Sequence, residues 1–293
     1  MSQEIRTIAV IGGGTMGLGI AHVSALGGYR TRLFDTDEGA LNRAYNTIER
    51  NLDKGVARGK VEETAAVAAK DLLAFENDFL TAVADADLVI EAVPESIELK
   101  LSIFQRAERD APQHALFASN TSGLSISEMA GATGRPERFA GMHFFNPVHI
   151  MKLIELVRGA ETSDDTLAAM AEVGKRMGKE IVTVRESPGF VTSRINALIG
   201  NEAFRMLEQG IASAADIDKA LKLGLNHPMG PFEMVDLVGL DVRLSILKHL
   251  HSTLGDLYRP SELLTSYVGD GRLGKKVGRG VYTYDAEGKA ISE

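Results

Sequence analysis

The apolar, β-branched run Thr7-Ile8-Ala9-Val10-Ile11 passes directly into Gly12, Gly14 and Gly17, spaced G-x-G-x-x-G, and this junction narrows the possible folds more than any other stretch. Such a run, without polar interruption, suits a strand buried on both faces of a parallel sheet. Leu18 to Leu26 then reads as a helix, and Thr31-Arg32-Leu33-Phe34 as a second strand ending at Asp35. Strand, glycine turn, helix, strand and acid occur in the order that dinucleotide binding requires. Gly12 permits a tight turn, Gly14 removes the Cβ that would block a pyrophosphate, and Gly17 lets the helix close on the strand. The helix N-terminus then faces phosphate charge. Asp35 lies 21 residues beyond Gly14, where it can accept hydrogen bonds from the adenosine ribose hydroxyls. Its carboxylate would repel a 2′-phosphate, and Thr36 follows rather than an arginine, so the pattern favours NAD over NADP.

Further strand candidates are Leu88-Val89-Ile90-Glu91-Ala92, Ala115 to Ser119, Phe139 to His143 and Ile181 to Val184, with helix-like segments between several of them. An open α/β sheet of the Rossmann type follows from this alternation. Such sheets hold ligands at the carboxyl ends of their strands, and Glu95, Asn120, Ser122, His143 and Asn146 all fall at or just after a strand end. Any one of them alone is better explained by the tendency of polar residues to collect in loops. His143 and Glu155, twelve residues apart, form a candidate acid–base pair: histidine titrates near neutrality, and a carboxylate on its second nitrogen fixes the tautomer.

Composition limits the alternatives. The 293 residues allow two domains or one large one. A net charge of −8 argues against nucleic acid as the main partner. Without cysteine there is no disulfide framework, thiolate nucleophile or cysteine metal site, and no metal is implied. The start, Met1-Ser2-Gln3-Glu4, lacks a basic and apolar leader, and no apolar run approaches ~18 residues, so the expectation is a soluble, untargeted, cytoplasmic protein with no membrane partner.

The chain resembles the L-3-hydroxyacyl-CoA dehydrogenase family, and within it the bacterial 3-hydroxybutyryl-CoA dehydrogenases, over nearly its whole length. Besides Val10 to Gly17, the matching runs are Asn120-Thr121-Ser122, His143-Phe144-Phe145-Asn146-Pro147, Ser187-Pro188-Gly189-Phe190-Val191, Pro228-Met229-Gly230-Pro231-Phe232-Glu233 and Gly280-Val281-Tyr282. The resemblance implies NAD-dependent interconversion of a 3-hydroxyacyl-CoA, short-chain by this likeness, and a 3-ketoacyl-CoA. It makes His143 the general base, Glu155 its orienting carboxylate on a neighbouring segment, and Ser122 the serine near the reacting oxygen. It also places Thr15, Met16, Glu95, Lys100, Asn120, Asn146 and Lys276 on the cofactor side, Asn146 beside the nicotinamide. Where many members carry an asparagine that contacts the acyl group, this chain has Ser193, which reaches less far, with Asn196 one helical turn on.

An acidic protein that binds CoA needs a local cationic site. Lys54 and Arg58 fall at i, i+4 and share one helix face if the helix persists through Gly55, although an exposed basic pair is usually a solvated face. After Val184 the pattern turns to helices almost throughout, which puts the boundary within 185–189 and gives an NAD-binding domain over 1–186 and a smaller all-α domain over 187–293. Expected helices are Phe190 to Glu208, one opened by Ser213 and running to Leu223, and Leu237 to Leu254. The resemblance assigns homodimer contacts to this domain. Two other readings remain: a CoA-independent hydroxy-acid or L-gulonate-type dehydrogenase, and a non-catalytic NAD-binding protein on the same fold, as among lens crystallins.

Overall fold

The computed structural model describes residues 4–291. Met1-Ser2-Gln3, part of the start read above as untargeted, lie outside the described residues. The chain divides into two compact units, Met1–Phe190 and Val191–Glu293.

The first unit runs β1 (Thr7–Ile11), α1 (Thr15–Leu26), β2 (Arg30–Phe34), α2 (Glu38–Ala57), α3 (Glu63–Asp71), β3 (Leu73–Glu76), α4 (Phe79–Val83), β4 (Leu88–Glu91), α5 (Ile97–Asp110), β5 (Leu116–Ser119), α6 (Ile126–Gly131), β6 (Phe139–Phe144), β7 (Leu153–Arg158), α7 (Asp164–Arg176) and β8 (Glu180–Arg185). The strands form one eight-stranded sheet in the order β3-β2-β1-β4-β5-β6-β7-β8. From β3 to β6 all neighbours are parallel; β7 returns antiparallel to β6, and β8 pairs parallel with β7. Alternation along the central strands feeds two cores. Ile8, Val10, Leu88, Ile90, Met142 and Ile154 face one, while Ala9, Ile11, Val89, Phe117, Phe139 and Val157 face the other. Burial on both faces is why these strands read as unbroken apolar runs. The strand β3 and its preceding helix α3 were not foreseen. All four β3 residues, Leu73 to Glu76, are only partly buried at the sheet edge, so the segment lacks the apolar contrast that marks the central strands.

Polar caps start most of the helices. Asp37, Asp78, Ser96, Ser125 and Ser163 each accept a backbone N–H from the first turn of α2, α4, α5, α6 and α7. In the same unit α3 starts at Glu62 with no side-chain cap but carries Glu63 in its first turn, whereas α1 begins at Gly14 with neither a side-chain cap nor an acid in its first turn.

The second unit contains α8 (Thr192–Glu208), α9 (Ala214–Gly224), α10 (Pro231–Val238), α11 (Leu240–Leu254), α12 (Glu262–Gly269) and the short strands β9 (Thr283–Tyr284) and β10 (Ala290–Ile291). The two strands form a small antiparallel pair, so this unit is not purely helical. The helix expected from Phe190 starts at Thr192, because Phe190 adopts φ 48° and cannot continue a right-handed turn. The helix expected over 237–254 is two helices, broken at Gly239 with φ 108°. Ser213 caps α9 by accepting from Asp216 N.

Candidate active site

The glycine turn can be explained position by position. Gly12 has φ 108°, and a Cβ there would lie 2.8 Å from Ala92 O. At Gly17 a Cβ would stand 1.7 Å from Gly12 O, so only glycine lets α1 close on the turn. A Cβ on Gly14 would meet nothing within 4 Å: the space beside it is open on the protein's side, which is what the approach of a ligand backbone requires. Together with the uncapped first turn of α1, in which Thr15 and Met16 lie, this forms a cradle for phosphate. Asp35 follows β2 and accepts from Gly13 N at 2.7 Å and Asp37 N at 2.9 Å, which aims its carboxylate at the rim of the same turn. These residues fit an NAD adenosine diphosphate: N–H groups for the pyrophosphate and an acid for the ribose.

The proton-transfer pair comes from sheet register. His143 on β6 is directly opposite Glu155 on antiparallel β7, which places both side chains on the same face. His143 Nδ1 is 2.8 Å from Glu155 Oε2. Glu155 is 1% exposed and His143 7%, so the carboxylate is desolvated while the ring keeps one accessible edge. An ionised carboxylate accepts only, so Nδ1 carries the proton and Nε2 remains to take another. Phe145 and Phe190 pack against the imidazole with centroids at 4.5 and 5.8 Å. Asn120, just past β5, accepts from Phe144 N at 2.9 Å and so ties that strand end to the residue after His143.

A second cluster lies at the ends of β4 and β5. Glu95 Oε1 accepts from Thr121 Oγ1 at 2.5 Å, Ser122 N at 3.0 Å and Ser122 Oγ at 3.3 Å. Lys100, grouped above with the cofactor contacts, is 1% exposed. Its Nζ stands 2.6 Å from Glu91 Oε1, 3.2 Å from Glu95 Oε2 and 3.3 Å from Val93 O. What Lys100 visibly does is hold Glu95, and through it Ser122. Glu91, 0% exposed, also accepts from Ser119 Oγ at 2.6 Å and Val93 N at 2.7 Å. Burial pushes the Glu91 carboxyl above its ordinary range, although Lys100 and these donors oppose the shift. Sequence reasoning overlooked Glu91 and Thr121. The available signal was a lone acid inside the otherwise apolar strand Leu88-Val89-Ile90-Glu91, with a lysine nine residues on.

The remaining candidates lie on other segments. Helix α2 does persist through Gly55; a Cβ there would come 2.7 Å from Val61 Cγ2, so glycine lets the following turn fold back. Lys54 lies in its last turn and Arg58 is its C-cap, both exposed. Asn146 follows β6 in the turn toward β7. Ser193 and Asn196 lie on α8 of the second unit; Lys276 belongs to the same unit, in a 3-10 turn over Lys275–Val277, and its Nζ contacts both Asp241 carboxylate oxygens at 2.6 Å.

Residues 7–187 match the model for the 3-hydroxyacyl-CoA dehydrogenase NAD binding domain, and residues 189–284 match its C-terminal domain. The chain belongs to the 3-hydroxyacyl-CoA dehydrogenase family. It is an NAD-dependent oxidoreductase of that family, which the cradle at Gly14 and the acid at Asp35 independently suit. It is 42% identical to the probable 3-hydroxybutyryl-CoA dehydrogenase of Bacillus subtilis, covering 97% of this chain and 99% of that one. It is 43% identical to the 3-hydroxybutyryl-CoA dehydrogenase of Bradyrhizobium diazoefficiens, covering 97% of each. Among solved structures, the (S)-3-hydroxybutyryl-CoA dehydrogenase of Ralstonia eutropha superposes with a TM-score of 0.93 at 41% identity, over 96% of this chain and all of that one. Among the described residues no helix is long and apolar enough to cross a membrane.

Proposed function

We propose that this protein interconverts a short-chain (S)-3-hydroxyacyl-CoA, with 3-hydroxybutyryl-CoA the leading candidate, and the 3-ketoacyl-CoA, with NAD as redox partner. The single observation that carries the chemistry is the desolvated His143–Glu155 pair at the carboxyl end of β6, in the sheet that also carries the dinucleotide turn. Gly12, Gly14, Gly17 and Asp35 hold the cofactor, with Asn146 on its nicotinamide side. When bound, NAD supplies the hydride acceptor, and NADH the donor in reverse. His143 Nε2 takes the proton of the 3-hydroxyl as the C3–H bond breaks, and returns one to the carbonyl oxygen in reduction. Glu155 stabilises the imidazolium formed in between. Ser122, whose backbone N–H and hydroxyl both donate to Glu95, is thereby held with its Oγ available to hydrogen-bond the reacting oxygen.

Ser193 on α8 serves the acyl end, with Asn196 as its substitute, and Lys54 and Arg58 on α2 bind CoA phosphates. The exposed apolar residues Ile195, Leu223, Leu225, Leu237 and Val242 support a homodimer through the helical unit, since so many exposed large side chains on one small unit favour coverage. The domain division follows the sequence, residues 1–186 and 187–293, and the site of action is the cytoplasm. A CoA-independent substrate is less favoured, because the near full-length relatives carry CoA-thioester names.

The test is NADH absorbance with acetoacetyl-CoA, longer 3-ketoacyl-CoAs and free keto acids. Turnover on acetoacetyl-CoA, with a His143→Gln variant that binds NADH but loses ~10²–10⁴-fold in kcat, is the expected result. Preference for a free hydroxy acid, or near-normal kcat in His143→Gln, refutes the assignment.

A further inference from the structure

The turn joining β6 to β7 connects the two members of the proton-transfer pair and includes Asn146, yet its backbone is fastened by residues outside the site described so far. Lys179, in the short link between α7 and β8, is 7% exposed and donates through Nζ to Val148 O and, at 2.7 Å, to Met151 O. Its neighbour Glu180 donates its backbone N–H to Lys152 O at 2.7 Å. On the other side the turn rests on α1, the helix that opens at the glycine cradle. Val148 is 2% exposed and sits so close to Gly19 that a Cβ on that glycine would fall 2.7 Å from Val148 Cβ and 2.8 Å from Cγ2. One residue on, His149 stacks on His22 of α1, with centroids 5.4 Å apart and planes 7° from parallel.

These contacts are not those of an ordinary surface turn. A buried lysine whose recorded partners among the described residues are two carbonyls and no carboxylate is a costly way to hold a loop. Burial pushes the Lys179 ammonium down to about 8. Burial first, and then the nearby His149 and Lys179, push the His22 imidazole down to about 4, and burial also lowers His149, so the ring stack is neutral at physiological pH. The charge is thus spent on fixing two backbone carbonyls that flank His149 and Ile150. Gly19, two positions beyond the fingerprint glycine Gly17, is explained by Val148 and has no part in the phosphate cradle.

We propose that Lys179 and Gly19 are positioning residues that dock the β6–β7 turn on the dinucleotide-binding helix, and so set where His143 and Asn146 stand relative to the bound cofactor. Lys179 pulls the turn in by its carbonyls; Gly19 leaves the depth that Val148 fills. The catalytic half of the inference rests on the function proposed above, while the docking itself does not. A misplacement of about 1 Å in a reacting group can cost ~10²-fold in rate, so a small displacement of this turn is enough to matter.

The experiment uses Lys179→Met, Gly19→Ala, Val148→Ala and the double variant Gly19→Ala/Val148→Ala in the full-length protein. Without cofactor, hydrogen exchange of the segment 145–152 is expected to quicken at least tenfold in Lys179→Met. With NADH and acetoacetyl-CoA, kcat is expected to fall at least tenfold in Lys179→Met and Gly19→Ala, with the NADH Kd from fluorescence titration changed less than threefold. The double variant, in which the smaller residue 148 makes room for the new methyl, recovers kcat to within about threefold of Val148→Ala alone. Unchanged exchange in Lys179→Met overturns the docking. Unchanged kcat per NADH-binding site, or a double variant no better than Gly19→Ala, overturns the positioning role. If the wild type shows no turnover while exchange responds as expected, the functional reading has failed and the catalytic half falls with it, but the docking stands.

Discussion

Replacing Lys100 with methionine isolates the buried charge cluster beneath Ser122. The substitution removes the ammonium 2.6 Å from Glu91 Oε1 and leaves a 0% exposed carboxylate with only Ser119 Oγ and Val93 N as donors. Breaking one side of a buried ion pair typically costs ~3–5 kcal/mol. In a unit of this size each kcal/mol shifts the melting temperature by ~2–4 °C, so at pH 8 the loss should be ~6–20 °C. The pH dependence separates this cause from simple misfit. Burial already raises the Glu91 carboxyl above 4.5, so the folded protein holds that proton more tightly than the unfolded chain. The stability this contributes is complete below 4.5 and is lost as pH rises through the folded value. Without Lys100 the folded value rises further, and the window of loss extends upward with it. The gap in melting temperature between wild type and Lys100→Met should therefore be smallest near pH 5 and widen toward pH 8. Adding Glu91→Gln, which removes the stranded charge, should restore much of the loss at pH 8. Thermal unfolding followed by circular dichroism from pH 5 to 8 measures all three proteins. A gap that does not vary with pH, or a double variant no more stable than Lys100→Met, would refute the reasoning.

Two further substitutions and a cofactor comparison test other parts of the structure. Asp35→Ala removes the acid held by Gly13 N and Asp37 N and should raise the KM for NADH by ~10–100-fold, as expected for a lost charge-assisted contact; a change under twofold would remove Asp35 from the cofactor site. Wild-type protein should likewise show a higher KM for NADPH than for NADH, and the reverse order would contradict the reading of Asp35 and Thr36. Asp236→Ala strands the backbone donors of Val281 and Tyr282 and the Tyr284 hydroxyl, all now satisfied by one buried carboxylate, and should lower the melting temperature of the helical unit by several degrees. Equal melting curves would show that these donors find water instead.

The parts of the fold that were legible in the sequence are those in which one physical requirement fixes the residue type. Gly12 and Gly17 were readable because positive φ and a 1.7 Å approach admit nothing else, and the central strands because two-sided burial forces an apolar run. The long helix α2 was harder to read through Gly55, whose presence depends on Val61 folding back over it, a tertiary cause with no local signature. The break at Gly239 was missed for the opposite reason. Apolar residues continue on both sides of it, and periodicity alone does not register a single left-handed residue.

The candidate site divides along the same line. His143 and Glu155 were identifiable as chemistry, but their pairing depends on β7 reversing direction beside β6, a register that brings residues 12 apart face to face. Nothing within either segment specifies that reversal; the chain makes it in the turn between them, and the contacts on that turn come from Val148, Lys179 and Gly19, residues distributed over a span of 160 positions. The same holds for Ser122. Its hydroxyl is set by Glu95, Glu95 by Lys100, and Lys100 by Glu91, which no solvent reaches. His143 and Ser122, proposed above to meet the reacting oxygen, carry polar side chains at strand ends and announce themselves. Those that aim them look, in sequence, like a stray acid in an apolar strand, a glycine in a helix or a lysine between two elements, and acquire meaning only when the chain brings them together.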